Sequence, residues 1–265
     1  MLCGLLLTPT RTALAQFTIE ELEMHVTARG LEPIVRLIPV RSDIDSTQQV
    51  RVTVKDWVRD SAGGNQTLDL GSHPRSCGGR LEVFPQTFQL AARATEYVRV
   101  TYTPASERDP GCWTIVLTET VRPPRPTMQL AASVIITTLT GVKVYVHAPD
   151  ERAAGEVISA DVEVFREPRD RMRPTADSVT VRRVAVRFAN TGTAHLVVKP
   201  TAEIRNERGD VVARLTGADA YITPDAFRDI ELRLPSLARG RYVATVLLDF
   251  GASEITAAQV EFTVS

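Results

Sequence analysis

Gln49-Val-Arg-Val-Thr-Val-Lys-Asp-Trp57 places Val50, Val52 and Val54 on one side of an extended chain and Arg51, Thr53 and Lys55 on the other. Side chains of a strand alternate with period two, so this stretch reads as one buried and one solvated face, the pattern of an antiparallel sheet. The same alternation, rich in Val, Ile, Thr, Tyr and Phe, recurs outward in both directions between clusters of Gly, Pro, Asp and Asn. In the first half it predicts strands over residues 17–27, 34–41, 49–57, 67–70, 80–90, 96–103, 113–121 and 128–146. In the second half it predicts seven more, over 156–165, 179–189, 195–205, 211–216, 227–234, 242–250 and 255–264. Helical periodicity is nearly absent. Seven short alternating strands are the signature of an immunoglobulin-like sandwich, so the expected fold is all-β, with two immunoglobulin-like antiparallel β-sandwich domains.

Punctuation supports that division. Asn190-Thr-Gly-Thr, Asn206-Glu-Arg-Gly209 and Ala238-Arg-Gly240 fall where turns are needed and supply residues that tolerate positive φ. His147-Ala-Pro-Asp-Glu-Arg-Ala-Ala-Gly155 is short, polar and broken by Pro149, and reads as the linker between a first domain over 16–149 and a second over 150–265. Gly-x-aromatic steps precede Trp113 and Tyr242 in the two halves. That is the entry to the strand where immunoglobulin-like domains place their tyrosine corner, so both residues are expected at a corner or in the core.

Composition sets the functional class by exclusion. A chain of 265 residues with 43% hydrophobic and 24% charged residues is globular and long enough for roughly two domains. Its net charge of −1 removes any bulk attraction to nucleic acid or to an anionic membrane, so a partner must be recognised locally. The uncharged start, Met1 to Thr10, is too short to cross a bilayer. Thr12-Ala-Leu-Ala15 has the small-x-small form of a signal-peptidase site, so residues 1–15 are read as a secretory signal. Arg11 lies on the wrong side of the apolar run for a complete signal, which places the expected natural start upstream of Met1. The alternative is an uncleaved, frayed terminus. Cleavage removes Cys3 and leaves Cys77 and Cys112, an even pair in an oxidising compartment, and a disulfide between them is predicted. Two separately buried thiols are the other possibility.

No G-x-S-x-G, H-E-x-x-H, phosphate-binding glycine loop or calcium-loop consensus occurs, and catalysis, a metal and a cofactor are not expected. His25, His73, His147 and His195 fall in separate predicted elements, without metal-ligand spacing. Asp56, Asp60 and Asp69 are read as turn-holding carboxylates. The run Arg166-Glu-Pro-Arg-Asp-Arg-Met-Arg173 reads as a solvated loop, with anion binding as the sharper alternative.

Three segments resemble the periplasmic pilus-assembly chaperones, the PapD-like proteins of bacterial chaperone-usher systems. Leu81-Glu-Val-Phe-Pro-Gln-Thr-Phe-Gln-Leu90 followed by Tyr97-Val-Arg-Val100 is similar to a stretch of their first domain. Gly141-Val-Lys-Val-Tyr-Val-His-Ala-Pro149 resembles the end of that domain, and Val52 to Asp60 is similar to a strand common in the wider group. The resemblance implies a partner: a secreted, pilin-like subunit held by strand addition to the last strand of the first domain, with an outer-membrane usher as a further contact. It implies the donated face Leu130, Ala132, Val134, Ile136 and Thr138, and Lys143 as one member of a basic pair that anchors a subunit's carboxylate. The other member, an Arg of the first strand, has no match; around Glu21-Leu-Glu-Met-His-Val26 the chain offers Glu and His instead. It also implies a periplasmic location. A second reading is a structural or adhesive cell-envelope module, at the cell surface, that presents the polar loop over 61–76. A third, a carbohydrate-binding accessory, would need exposed aromatics on one sheet face.

Overall fold

The computed structural model describes residues 16–121, 137–168 and 178–265. These divide into two compact units. One holds 16–56, 68–121 and 137–148; the other holds 57–67, 149–168 and 178–265.

The sheets of the first unit contain β1 (Phe17–Thr18), β2 (Glu23–Thr27), β3 (Ile34–Ser42), β4 (Gln48–Arg59), β5 (Asn65–Leu68), β6 (Leu81–Phe84), β7 (Thr87–Leu90), β8 (Thr95–Tyr102), β9 (Cys112–Val121) and β10 (Leu139–His147), with 57–59 of β4 and 65–67 of β5 grouped in the second unit. One sheet runs β1-β3-β8-β6, and the facing sheet runs β2-β10-β9-β4-β5 with β7 added to β4. Val50, Val52, Val98, Val100, Val142, Val144 and Val146 fill the space between them. The alternation of the opening stretch is therefore the inside and outside of a sandwich.

Two predicted strands are each cut in two. Residues 17–27 form β1, which pairs with β3 in one sheet, and β2, which pairs with β10 in the other. Residues 80–90 break at the cis Phe84–Pro85 bond into β6, paired with β8, and β7, paired with β4. In both cases the chain changes sheets midway, a change that local alternation does not register. The predicted strand over 128–146 is described from residue 137 onward and contains β10.

Cys77 and Cys112 are joined, with Cα atoms 5.1 Å apart, and both are buried. The bond ties the turn before β6 to the start of β9. Arg80 reinforces it, pairing with Asp109 at 2.5 Å and donating to the Ser76 carbonyl at 3.1 Å. Asp109 also accepts the Tyr102 hydroxyl at 2.9 Å and the Ala105 N–H at 2.8 Å. Burial alone would raise the carboxyl pKa of Asp109, but these donors and the Arg80 charge outweigh it and hold the group below the usual carboxylate range.

The second unit comprises β11 (Gly155–Pro168), β12 (Ser178–Asn190), β13 (Leu196–Asn206), β14 (Val211–Thr216), β15 (Ala220–Ile222), β16 (Phe227–Arg233), β17 (Gly240–Asp249) and β18 (Thr256–Val264). Its sheets run β11-β12-β16 and β14-β13-β17-β18, with β15 beside β13, over a core that includes Phe188, Leu196, Ile204, Leu232 and Leu248. The Tyr242 hydroxyl donates to the Ala238 carbonyl at 2.8 Å, the tyrosine corner expected at that position. Asn190 holds its turn with its own amide, donating to the Ala194 and Ile222 carbonyls and accepting the Gly192 N–H. Gly192 has no room for a side chain, because a Cβ would lie 2.2 Å from the Arg152 carbonyl oxygen. Residues 152–154 of the predicted linker are thereby fixed against this turn, with Thr193 N–H bonded to Arg152 and Thr191 N–H bonded to Ala154.

Candidate functional site

β10 carries its valines on one parity, like the stretch over 49–57, although Tyr145 on the other parity is also buried. Val142, Val144 and Val146 point into the core, while Leu139, Gly141, Lys143, Tyr145 and His147 carry the other parity. β9 covers one edge of β10 along its length, from Leu139 opposite Glu119 to Val146 opposite Cys112. On the other edge β2 runs parallel, from Lys143 opposite Glu23 to His147 opposite Thr27. The Lys143 N–H closes that pairing by donating to the Leu22 carbonyl at 2.9 Å. Further back, the Gln16 N–H donates to Thr138 Oγ1 at 3.3 Å.

Between these two contacts, residues 139–142 have no strand on the β2 side among the described residues. The cause is the sheet change at the N-terminus, since Phe17 and Thr18 leave to pair with Ser42 and Arg41. Successive residues of a strand direct their main-chain groups to opposite edges. Because the Lys143 N–H faces β2, the N–H and C=O of Leu139 and Gly141 face the open side. Leu139, 60% exposed, and Leu22, 50% exposed, form an apolar rim around the gap. Gly141 lets Ile115 pack close, since a Cβ there would meet Ile115 Cδ1 at 2.6 Å and the isoleucine would have to move.

Beside the gap lies a cluster that sequence reading did not assemble. Lys143, whose side chain is only 14% exposed, pairs with Glu23 at 3.4 Å. The ring of His25 stacks on Tyr145, with centroids 4.8 Å apart, and lies level with His147, His25 Nδ1 being 2.9 Å from His147 Nε2. Burial first, then the neighbouring His147, lowers the pKa of His25 against the opposing pull of Glu23 and Glu21. Among the described residues, no group of three or more His, Cys, Asp and Glu is placed to hold a metal ion.

Of the residues implied by resemblance, Leu130, Ala132, Val134 and Ile136 lie outside the described residues. Thr138 is described and its polar groups are bonded: its N–H donates to Thr120 Oγ1 at 3.2 Å, its carbonyl accepts the Thr120 N–H at 3.0 Å and its hydroxyl accepts from Gln16. Lys143 sits beside the gap with Glu23 as its neighbour. Histidines 25 and 147, read as scattered, meet across the parallel pair. The signal was present only in parity, since Glu23, His25 and Thr27 share one face of β2 as Lys143, Tyr145 and His147 share one face of β10.

The remaining candidates have structural partners. Asp56 is fully buried and accepts the His73 N–H at 3.0 Å and the Ser76 hydroxyl at 2.6 Å. Asp60 accepts the Gly64 N–H at 2.7 Å, and Asp69 pairs with Lys55 at 2.7 Å. The His73 ring accepts the Arg75 N–H and lies 4.7 Å from Trp113. Trp57 and Trp113 are each 1% exposed, which removes both from any sugar-binding face. The basic run over 166–173 is described only as far as Pro168, with Arg166 at the end of β11 opposite Thr180.

No protein family matches the sequence, and no curated protein does. Solved structures do. The crystal structure of the class 5 fimbriae chaperone CfaA superposes with a TM-score of 0.52 at 14% identity, over 92% of this chain and 98% of that one. A chain from a chaperone–tip adhesin complex of CFA/I fimbriae biogenesis superposes at 0.53, also at 14% identity, over 93% of this chain and 99% of that one. The chain therefore has the two-domain, all-β fold of the PapD-like fimbrial chaperones.

Proposed function

We propose that this protein is a non-catalytic periplasmic chaperone that holds a secreted, pilin-like subunit by β-strand addition at the edge of β10. The observation that carries the reading is the open run over 139–142, bounded at one end by the β2 pairing and at the other by the Gln16–Thr138 bond, with an apolar rim. Strand addition uses such a run: main-chain hydrogen bonds supply affinity, and alternate side chains supply specificity. An open apolar edge is otherwise an aggregation hazard, which argues for a partner that covers it. In this reading the donated edge extends back through Ile136, Val134, Ala132 and Leu130, Lys143 anchors the subunit's carboxylate, and an outer-membrane usher receives the complex. The fold agrees with the proposal without identifying the client.

The test is co-expression with the small secreted subunits encoded beside the gene, followed by size-exclusion chromatography with light scattering. A one-to-one complex is expected. Leu139→Asp should abolish it while the circular dichroism spectrum and thermal midpoint stay unchanged, because Leu139 is exposed, and Ile136→Asp should abolish it as well. Retention of the subunit by both variants would refute strand addition at this edge.

A further inference from the structure

We infer that Glu23 is an intramolecular competitor for Lys143, so that a carboxylate approaching this lysine must first displace one the chain already provides. The inference rests on the strand-addition reading and specifies how the anchor is regulated.

The register makes the competition unavoidable. Lys143 and Glu23 are directly opposed in the parallel pair at its first rung, where the open edge begins. Lys143 Nζ lies 3.4 Å from Glu23 Oε1, and the lysine is the more shielded partner, at 14% against 39% exposure. Glu23 Oε2 also lies 3.9 Å from His25 Nε2, a contact that becomes an ion pair only when His25 is protonated. The nearby cations are also engaged. Arg41 pairs with Glu20 and Asp43, and Arg51 pairs with Glu119, the residue opposite Leu139. Among the described residues, these basic side chains already have carboxylate partners. A tethered competitor acts at an effective concentration that a free ligand must match. Anchoring through Lys143 is consequently weak and reversible, and most of the holding energy falls to the main-chain pairing over 139–142. That arrangement suits a protein that must give up its client.

Acetate is the probe, because it isolates the lysine from strand pairing. The Lys143 13Cε resonance is followed during acetate titration at constant ionic strength, against chloride, and is assigned by its loss in Lys143→Met. A partly shielded pair of this kind changes an equilibrium by about fivefold. Glu23→Gln, which keeps the shape and removes the charge, should therefore bind acetate up to about fivefold more tightly than the wild type. Equal affinities in the two proteins, or no saturable shift in Glu23→Gln, would overturn the inference. Either failure leaves strand addition standing, since that reading is decided by client retention in Leu139→Asp; conversely, loss of that reading would not alter the acetate result.

Discussion

Opening the Cys77–Cys112 bond should destabilise the first unit by an amount that follows from its place in the chain. The bond spans 35 residues. In the chain-entropy account a cross-link of that span removes about 13 cal/mol/K from the unfolded ensemble, or about 3.8 kcal/mol at room temperature. Against a domain stability of about 5–15 kcal/mol this is a large share. With a urea m-value of about 2 kcal/mol/M, the unfolding midpoint of the first unit should fall by about 2 M. The assay is urea unfolding followed by the fluorescence of Trp113, next to Cys112 in β9, with and without reductant. Reduced wild type isolates the cross-link; Cys77→Ala with Cys112→Ala adds the loss of two buried sulfurs, and should be destabilised further. Hydrogen exchange in β13 and β17 serves as the control, because neither cysteine lies in the second unit. A loss below about 1 kcal/mol at unchanged m would refute the reasoning. It would mean that the Arg80–Asp109 pair and the Trp113 N–H to Arg75 bond already constrain the same two segments in the unfolded chain.

Two further predictions concern single side chains. Tyr242→Phe removes the corner hydrogen bond and leaves the Ala238 carbonyl without that donor, so the second unit should lose about 1 kcal/mol, read as a lower urea midpoint; an unchanged midpoint would show that the bond contributes nothing net. The His25 pKa is lowered in the folded protein, so the unfolded chain binds the extra proton first, and the contribution of neutral His25 is complete above its unfolded value of about 6.5. That contribution is lost as pH falls through the folded value, and the hydrogen bond to His147 needs one neutral ring as acceptor. Stability of the first unit should therefore drop as pH falls below about 6.5, and His25→Gln should flatten that slope; identical slopes in the two proteins would rule out this linkage.

Much of this architecture is local and was open to reading from the chain. Alternation in 49–57 and in 141–147 reports which side chains are buried wherever the strands pair, because the pleat has period two regardless of partner. The Asn206 turn and the Tyr242 corner are local for the same reason, a side chain bonding main-chain groups within a few residues of itself, and Asn190 adds to such local bonds one to Ile222, 32 residues on. The disulfide was legible because, of three cysteines, Cys3 falls in the stretch read as a signal and the other two leave one pairing.

What the chain could not declare by itself is who pairs with whom. Residues 17–27 alternate without a break, yet β1 and β2 belong to opposite sheets, and Ile19, between them, is buried by both. The parallel pairing of β2 with β10 joins residues about 120 positions apart in the chain; it alone places Glu23 against Lys143 and His25 against His147. The sheet change at Phe17 and Thr18 also leaves 139–142 without a strand on the β2 side among the described residues. Sequence by itself determined the all-β class, the buried parity of each strand and the cross-link, all set by short-range geometry. The open edge and the charged cluster beside it were decided only by tertiary pairing, because a hydrogen-bonded edge is a property of two strands and of the place where one of them turns away.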